Sequence, residues 1–449
     1  MRADRLITRV VGWAASVFQH IERRGGPVPD GPLLIVANHL NALLDPLVLF
    51  RVAGRPSRPL AKAPLFDQVL VGGVLRGLGG LPVYRRQDEP GEMHRNEDTF
   101  RAAIDALRRG DALQIFPEGR SHSEPALEPL RTGAARIALA AEAEADGRLG
   151  LRIVPVGLTY DGKERFRGRV LAEIGEPFEV APWLTPGGAA DADAVRALTD
   201  EIGHRLRHVT LNLTAAADRP LVEAADRMYT REKALHGFRE RDPLTERVPR
   251  LRRFAEAMAW LRVHDPTRFQ RLAGRVRRHH RLAAALGAEE GDVPDRYRTR
   301  DVLRYVLREG GPLLIAAPFA LVGTVIWYPT WVAPRFVLRV VRPERESIAT
   351  YKLATGFGAV PLTVLTATAV AAWLGGWIAA ALAFVAAPLL GLCALLWRER
   401  WLRVREDARL FLRVLRRSGL RERIAVRRAG LVAEFDEILA EMDSIRVAR

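Results

Sequence analysis

The sequence predicts an α/β domain, in which a sheet is flanked by helices, followed by a helical region with membrane-embedded segments. Short β-branched runs alternate with helical patterns over residues 1–215, as in layered α/β domains. Two later stretches, 310–334 and 353–397, contain no charged residue. The chain has 449 residues, which is too long for one ordinary soluble core. These observations together predict two or three structural units.

The elements of the α/β region are predicted from apolar runs of strand length and from apolar residues at helical spacing. The predicted strands are 33–37, 60–63, 81–84, 113–116, 153–158 and 170–174. The predicted helices are 42–52, 92–109, 132–145 and 194–213. Residues 181–192, rich in Pro, Gly, Ala and Asp, are predicted as a loop.

An apolar stripe in residues 6–21 predicts an N-terminal helix with basic residues near its ends. Two interpretations are open for this segment. It is an ordinary packing helix, or it is a helix within residues 1–25 that lies in a membrane interface.

The rest of the chain divides by composition. Residues 216–309 are charged and helical, 310–397 are predicted to be membrane-embedded, and 398–449 form basic C-terminal helices. A helical span needs about 20 apolar residues. The first uncharged stretch therefore suits one span or a re-entrant hairpin, and the second suits two spans that turn at Gly375-Gly376. Arginines crowd every flank, which favours cytoplasmic ends and an even number of crossings.

The net charge of the chain indicates which classes of molecule it could bind. The formal net charge is +16, which attracts nucleic acid, anionic lipid or small phosphorylated molecules. The uncharged stretches favour the membrane, and no aromatic-rich RNA motif or helix-turn-helix supports binding to nucleic acid. Arginines outnumber lysines 65 to four among the 69 basic residues, a bias typical of a GC-rich bacterial genome.

Metal and disulfide chemistry are not predicted. Cys393 is the single cysteine, which excludes an internal disulfide and a Cys-rich zinc site. The scattered histidines lack an H-E-x-x-H or comparable ligand pattern, so a metal hydrolase is disfavoured as well.

A histidine and an aspartate follow the first predicted strand. His39 comes directly after the apolar run of residues 32–37, at the strand edge where open α/β sheets bind ligands, and Asp45 is six residues further on. The two side chains can meet if the chain turns between Leu40 and Leu43, or if Asp45 reaches back across a helix start. An aspartate that accepts from one ring nitrogen prepares the other to take a proton.

Polar residues follow two further predicted strands. Arg85 comes after residues 81–84, and its planar guanidinium suits bidentate binding of phosphate. Glu118 and Gly119 come after residues 113–116, where glycine lets a ligand approach the backbone and glutamate can accept from a hydroxyl. Three such sites at successive strand ends predict one shared site.

Four blocks of the sequence resemble the motif blocks of the glycerolipid acyltransferases, a family that includes bacterial 1-acylglycerol-3-phosphate acyltransferases. The blocks are ANHLNALLDP, GLPVYRRQD, FPEGRSHS with LEPLRTGAARIAL, and IVPVGLTY. The H-x5-D spacing departs from the usual H-x4-D of the family and resembles the fungal glycerol-3-phosphate and dihydroxyacetone-phosphate acyltransferases. The resemblance is specific for residues 30–180 and implies a mixed sheet flanked by helices.

The resemblance implies a role for each matching residue. His39, oriented by Asp45, is the general base that deprotonates the acceptor hydroxyl for direct attack on an acyl thioester, without an acyl-enzyme. Further residues are expected to bind substrate: Arg85 the phosphate, Glu118 and Gly119 the glycerol backbone together with Arg120 and Ser121 of the same turn, Pro155 as part of the fourth block, and Lys62 and Arg131 as additional phosphate or coenzyme contacts.

The expected partners follow from the same resemblance. The acceptor is glycerol 3-phosphate or a lysophosphatidate-like lipid, and the donor is acyl-CoA or acyl-carrier protein as a co-substrate, with no bound cofactor. The expected location is the inner membrane, with the site facing the cytoplasm. Two alternatives are open: an inactive membrane scaffold of the same fold, and an acyltransferase for another acceptor such as dihydroxyacetone phosphate or a different lysolipid.

Overall fold

The computed structural model describes residues 2–85, 90–124, 126–186, 191–213, 218–233, 242–285, 299–416 and 418–447. The chain divides into two compact units. The first holds Met1–Asn212, Pro243–Val248 and Pro343–Thr350, and the second holds Leu213–Asp242, Pro249–Arg342 and Tyr351–Arg449. The two short additions to the first unit come from regions that the sequence assigns to the helical insert and to the membrane region. Contacts between residues distant in sequence therefore complete the first unit.

One mixed sheet forms the centre of the first unit. Its described strands are β1 (Gln19–Arg24), β2 (Leu33–Ala37), β3 (Ser57–Lys62), β4 (Leu81–Val83), β5 (Ala112–Ile115), β6 (Arg152–Asp161), β7 (Gly168–Ile174) and β8 (Phe178–Glu179). They lie in the order β1-β7-β6-β2-β5-β3-β4, and β8 pairs with β6. From β6 to β4 all neighbours are parallel, whereas β7 and β8 run antiparallel to β6. The predicted α/β fold with a mixed sheet is confirmed.

Helices cover the sheet on both faces, so its central strand is buried on both sides. Leu34 and Val36 of β2 belong to the core cluster formed with α4 (Asn96–Arg108), α5 (Gly133–Ala143) and α6 (Ala192–Val209). The alternate residues of β2 point to the opposite face and are also buried. A strand covered on both faces has an uninterrupted apolar sequence, which explains the pattern of this run.

The N-terminal helix packs on the helix that follows β2. These are α1 (Arg2–Phe18) and α2 (Leu44–Ala53), and a Cβ on Gly12 would lie 3.3 Å from the Cα of Arg51. The buried residues of α1 include Val11, Ala14, Ala15 and Phe18. Val10 and Trp13 remain exposed on the other side of the helix. The interpretation of α1 as an ordinary packing helix therefore explains its buried face. It does not explain the exposed apolar residues on the opposite face.

The predicted extension of this helix to Ile21 is wrong. The helix ends at Phe18, and Gln19–Arg24 pair with β7 in parallel as strand β1. Helical spacing of apolar residues could not reveal this, because the partner strand lies far away in the sequence. Short helices complete the unit: α3 (Val69–Gly77) and 3-10 turns at Ala63–Leu65, Pro90–Arg95, Ala181–Trp183 and Arg345–Ser347.

The described part of the second unit is helical. Its helices are α7 (Arg219–Lys233), α8 (Leu244–His264, whose first turn belongs to the first unit), α9 (Pro266–Ala285), α10 (Thr299–Val341), α11 (Ile348–Arg416) and α12 (Ser418–Val447). Helix α12 packs against α7 and α9. Arginines on α9 pair with glutamates on α12, for example Arg268 with Glu441 at 2.9 Å. These contacts connect the C-terminal helix to the predicted charged insert.

Two described helices are long and apolar enough to cross a membrane. They are Val302–Val341 in α10 and Ile348–Leu412 in α11. Helix α11 is interrupted by non-helical backbone at Gly375 and Gly376, which confirms the predicted break at these glycines. The two helices are in contact: Trp327 Nε1 donates to the carbonyl oxygen of Ala387 at 2.8 Å. Most of their apolar surface is exposed and suits a lipid environment.

Candidate active site

The carboxyl ends of four neighbouring parallel strands meet at one edge of the sheet. In the order β2, β5, β3 and β4, these ends lead to His39, Glu118, Lys62 and Arg85. Strands are spaced about 4.8 Å apart, so the ends of β2 and β4 lie about 14 Å from each other. The sheet order thus assembles residues from four separate parts of the sequence. Open α/β sheets bind ligands at such an edge.

The side chains of His39 and Asp45 are in contact. The distance from His39 Nδ1 to Asp45 Oδ2 is 2.8 Å. The chain turns over residues 40–43, and α2 then begins at Leu44, so Asp45 lies in the first helical turn and faces back toward His39. Because a carboxylate only accepts hydrogen bonds, Nδ1 carries the ring proton and Nε2 is left to take one. This geometry suits a general base.

The Asp45 carboxylate is fully buried, and three donors hold it. Besides His39, the backbone N–H of Asn41 donates to Oδ2 at 2.7 Å, and the Tyr160 hydroxyl donates to Oδ1 at 2.6 Å. Burial, together with the adjacent carboxylate, raises the pKa of Tyr160, so the hydroxyl keeps its proton. Tyr160 is not among the residues predicted from the sequence. Its only signal is its place at the end of the IVPVGLTY block, in the strand beside β2.

The Asn38 side chain extends the ladder between β2 and β6 after the main chain of β2 has turned away. Asn38 Nδ2 donates to the carbonyl oxygen of Leu158 at 3.0 Å, and the N–H of Leu158 donates to Asn38 Oδ1 at 2.7 Å. The last backbone pair of the two strands is Ala37 with Val156. A side-chain amide therefore replaces a peptide group, which frees the backbone of His39 to leave the sheet.

The segment after β5 holds His39 from three directions. The rings of Phe116 and His39 stack with centroids 4.1 Å apart. The His39 N–H donates to Glu118 Oε1 at 3.2 Å, and the backbone N–H of His122 donates to the His39 carbonyl oxygen at 3.0 Å. The second oxygen of Glu118 contacts His122 Nε2. Burial raises the pKa of Glu118 to about 8, and the hydrogen bond from His39 opposes this rise.

Three further residues of the loop after β5 are predicted to bind substrate, namely Gly119, Arg120 and Ser121. Gly119 has a positive φ of 76°, and a Cβ there would lie 2.9 Å from Nε of Arg131, so the Arg131 side chain crosses the glycine. Arg120 turns to Glu128, with Nε 2.8 Å from Oε2. Ser121 is half-buried. Their predicted contacts with substrate stay predictions.

Pro155 lies inside the sheet, below the edge where His39 is found. It pairs with Val36 of β2, and its carbonyl oxygen accepts from the N–H of Gly175 at 2.8 Å. Its predicted role in the site stays a prediction. Among the described residues, no group of three or more His, Cys, Asp or Glu side chains is arranged to hold a metal ion.

Lys163 connects the loop after β2 with the loop after β5. Its Nζ donates to the carbonyl oxygen of Leu40 at 2.9 Å, to Ser123 Oγ at 2.7 Å and to the carbonyl oxygen of His122 at 3.4 Å. In return, Asn41 Nδ2 donates to the Lys163 carbonyl oxygen at 3.1 Å. The sequence carried no signal for this residue, because the turn between β6 and β7 approaches the loops only in the folded unit.

Comparison with known proteins identifies the domain that carries this site. Residues 18–159 match the family model described as Acyltransferase. Glycerol-3-phosphate O-acyltransferase 2 of Saccharomyces cerevisiae is 35% identical over 30% of this chain and 18% of its own length. Glycerol-3-phosphate O-acyltransferase 1 of the same yeast is 26% identical over 59% of this chain and 36% of its length.

Two further matches have different coverage. An uncharacterized acyltransferase of Schizosaccharomyces pombe is 24% identical over 77% of this chain and 65% of its length. The crystal structure of the 1-acyl-sn-glycerophosphate acyltransferase of Thermotoga maritima is 19% identical, with a TM-score of 0.34, and covers 46% of this chain and 81% of that one. The chain thus spans less than two thirds of each of these fungal relatives. Residues 18–159 thus form an Acyltransferase domain, and in this domain the chain is similar to the glycerol-3-phosphate O-acyltransferases of yeast.

Proposed function

We propose that the protein is a membrane-bound acyltransferase of phospholipid biosynthesis. It moves a fatty acyl group from an acyl thioester to a hydroxyl of glycerol 3-phosphate or of a lysophosphatidate-like acceptor. The observation that carries this proposal is the contact of His39 with the buried Asp45 at the edge of the sheet, with Glu118, Lys62 and Arg85 at the neighbouring strand ends. The names of the yeast relatives support the choice of a phosphorylated glycerol acceptor.

The reaction uses His39 Nε2 as the base. Nε2 takes the proton of the acceptor hydroxyl while the oxygen attacks the thioester carbonyl, and the imidazolium that forms is stabilised by Asp45. The tetrahedral intermediate then collapses, the carbon–sulfur bond breaks, and the leaving thiolate receives the proton from His39. The products are an ester and a free thiol, so no acyl-enzyme is required. A positioned base of this kind contributes about 10²- to 10⁴-fold in rate.

Binding of the acceptor falls to the basic residues further along the edge. Lys62 ends β3, and Arg85 follows β4, two and three strands away from His39. A phosphate held there fixes the far end of the acceptor, so that its hydroxyl is positioned at His39. The donor is acyl-CoA or acyl-carrier protein, which enters as a co-substrate.

The apolar helices α10 and α11 support a membrane location. Acyl chains and lysolipids are poorly soluble in water, so an enzyme anchored in the bilayer can return its product directly to the lipid. The clusters of arginine after each uncharged stretch, for example Arg335 and Arg339 after the first, favour a cytoplasmic position for those ends. We place the protein at the inner membrane, with its site facing the cytoplasm.

The test is transfer of labelled acyl groups by purified protein in detergent. Glycerol 3-phosphate, dihydroxyacetone phosphate and lysophosphatidate are offered with acyl-CoA or acyl-carrier protein, and products are identified by mass spectrometry. His39→Ala is expected to lose about 10²- to 10⁴-fold in kcat. The control is His204→Ala, a substitution of an exposed histidine in α6. Equal turnover in wild type and His39→Ala would refute the mechanism, and no product from any acceptor would refute the function.

A further inference from the structure

His122 is a buried histidine beside the site that the proposed reaction does not use. Its side chain is 6% exposed, and that of Glu118, its partner through Nε2, is fully buried. Buried ionisable side chains are costly unless they are paired and hydrogen-bonded, so a histidine and a glutamate in contact at this depth require an explanation. Neither residue needs to be at this position for the chain to turn after β5, because Gly119 already supplies the positive φ.

The hydrogen bonds of His122 determine which ring nitrogen carries its proton. The backbone N–H of Glu124 donates to His122 Nδ1 at 3.1 Å. A nitrogen that accepts a hydrogen bond is unprotonated, so in the neutral ring the proton lies on Nε2, which faces Glu118. Burial lowers the pKa of His122 and keeps the ring neutral. His122 therefore donates to Glu118 through Nε2–H.

Glu118 connects His122 to the catalytic histidine, His39. One of its oxygens accepts from Nε2–H of His122, and the other accepts from the backbone N–H of His39. The carbonyl oxygen of His39 accepts in turn from the backbone N–H of His122. The N–H and the carbonyl oxygen of His39 are thus both held, the first by Glu118 and the second by the backbone of His122. The imidazole of His122 closes this ring of contacts, because it connects the Glu118 side chain to the backbone of residue 122.

We propose that His122 is a positioning residue, whose Nε2–H holds the Glu118 carboxylate against the backbone of His39 and so sets the position of the catalytic imidazole. The proposal rests on the proposed function of His39. His122 is distinct from residues that touch substrate, since its side chain is only 6% exposed and that of Glu118 is fully buried. Loss of the link removes the donor that fixes one oxygen of Glu118, so the carboxyl group can turn away from the His39 N–H.

Two substitutions of similar size test the proposal. The amide nitrogen of glutamine occupies the place of Nε2, so His122→Gln keeps a donor for Glu118, whereas the shorter amide of His122→Asn matches Nδ1 and does not reach it. Assays are run at about pH 9, where most of Glu118 is ionised, because burial raises its pKa only to about 8. We expect kcat to fall about 10- to 100-fold in His122→Asn and about threefold or less in His122→Gln. KM for the phosphorylated acceptor is expected to stay within about twofold in both.

Hydrogen–deuterium exchange gives a readout that does not depend on activity. The amide of His39, followed in a peptide covering residues 33–43, is expected to exchange faster in His122→Asn than in His122→Gln or wild type. Equal exchange in all three proteins, or equal loss of kcat in the two variants, would overturn the proposal. If wild type transfers no acyl group, the proposed function fails, and the exchange rates alone decide whether His122 holds the backbone of His39.

Discussion

Tyr160→Phe removes the hydroxyl oxygen that supports the His39–Asp45 pair. The hydroxyl lies 2.6 Å from Asp45 Oδ1, and both side chains are buried, so water has little access to replace the lost donor. A hydrogen bond to a charged group contributes about 1.5–3 kcal/mol. Asp45 keeps its donors from Asn41 and His39, so the pair persists with a less constrained carboxylate. If the loss falls entirely on the transition state, kcat decreases about 13- to 160-fold, at 1.36 kcal/mol per factor of ten.

The assay for this prediction compares kcat and KM of Tyr160→Phe with those of wild type, using saturating acyl donor and the preferred acceptor. The matched control is Tyr328→Phe, which removes the same oxygen from an exposed tyrosine of α10. KM is expected to change little, because Tyr160 supports the base and does not bind the acceptor. A kcat within twofold of wild type would show that Tyr160 does not support the His39–Asp45 pair, and the reasoning from their geometry would fail.

Three other perturbations test separate parts of the structure. Asn38→Ala leaves the buried N–H and carbonyl of Leu158 without partners, and we expect the free energy of unfolding to fall by about 2–3 kcal/mol in urea titrations. Folding raises the pKa of Glu118 from 4.5 to about 8, so the folded state binds this proton more tightly than the unfolded state. The contribution of Glu118 to the free energy of unfolding is therefore fully present below pH 4.5 and is lost as the pH rises through about 8. In Glu118→Gln the melting temperature should fall less steeply with rising pH between these values. A pH dependence equal to that of wild type would show that other groups cause it. In Gly323→Val a Cβ would lie 2.1 Å from a carbonyl oxygen of the facing helix, so the melting temperature in detergent should fall, whereas Gly310→Val, with no atom within 4 Å, should leave it unchanged.

Local patterns were sufficient for the elements whose signal lies within a few residues. The apolar run of β2 is bounded by Asn38, and the break in α11 falls at Gly375-Gly376, where two adjacent glycines remove the steric preference for helix. The pattern failed at the start of β1, because the sequence assigned residues 19–21 to the end of a helix. Strand β1 exists because Gln19–Arg24 pair with β7, and strand pairing depends on a partner that helical periodicity does not describe.

The sequence by itself determined which chemistry is available: a histidine and an aspartate six residues apart, and basic and acidic residues directly after predicted strands. It also determined that part of the chain suits lipid, because long uncharged stretches are costly to expose to water. Only the tertiary structure decided which residues support the pair. Tyr160, His122 and Lys163 reach His39 and its loop through the order of strands in the sheet, and that order follows from long-range pairing and packing rather than from local sequence.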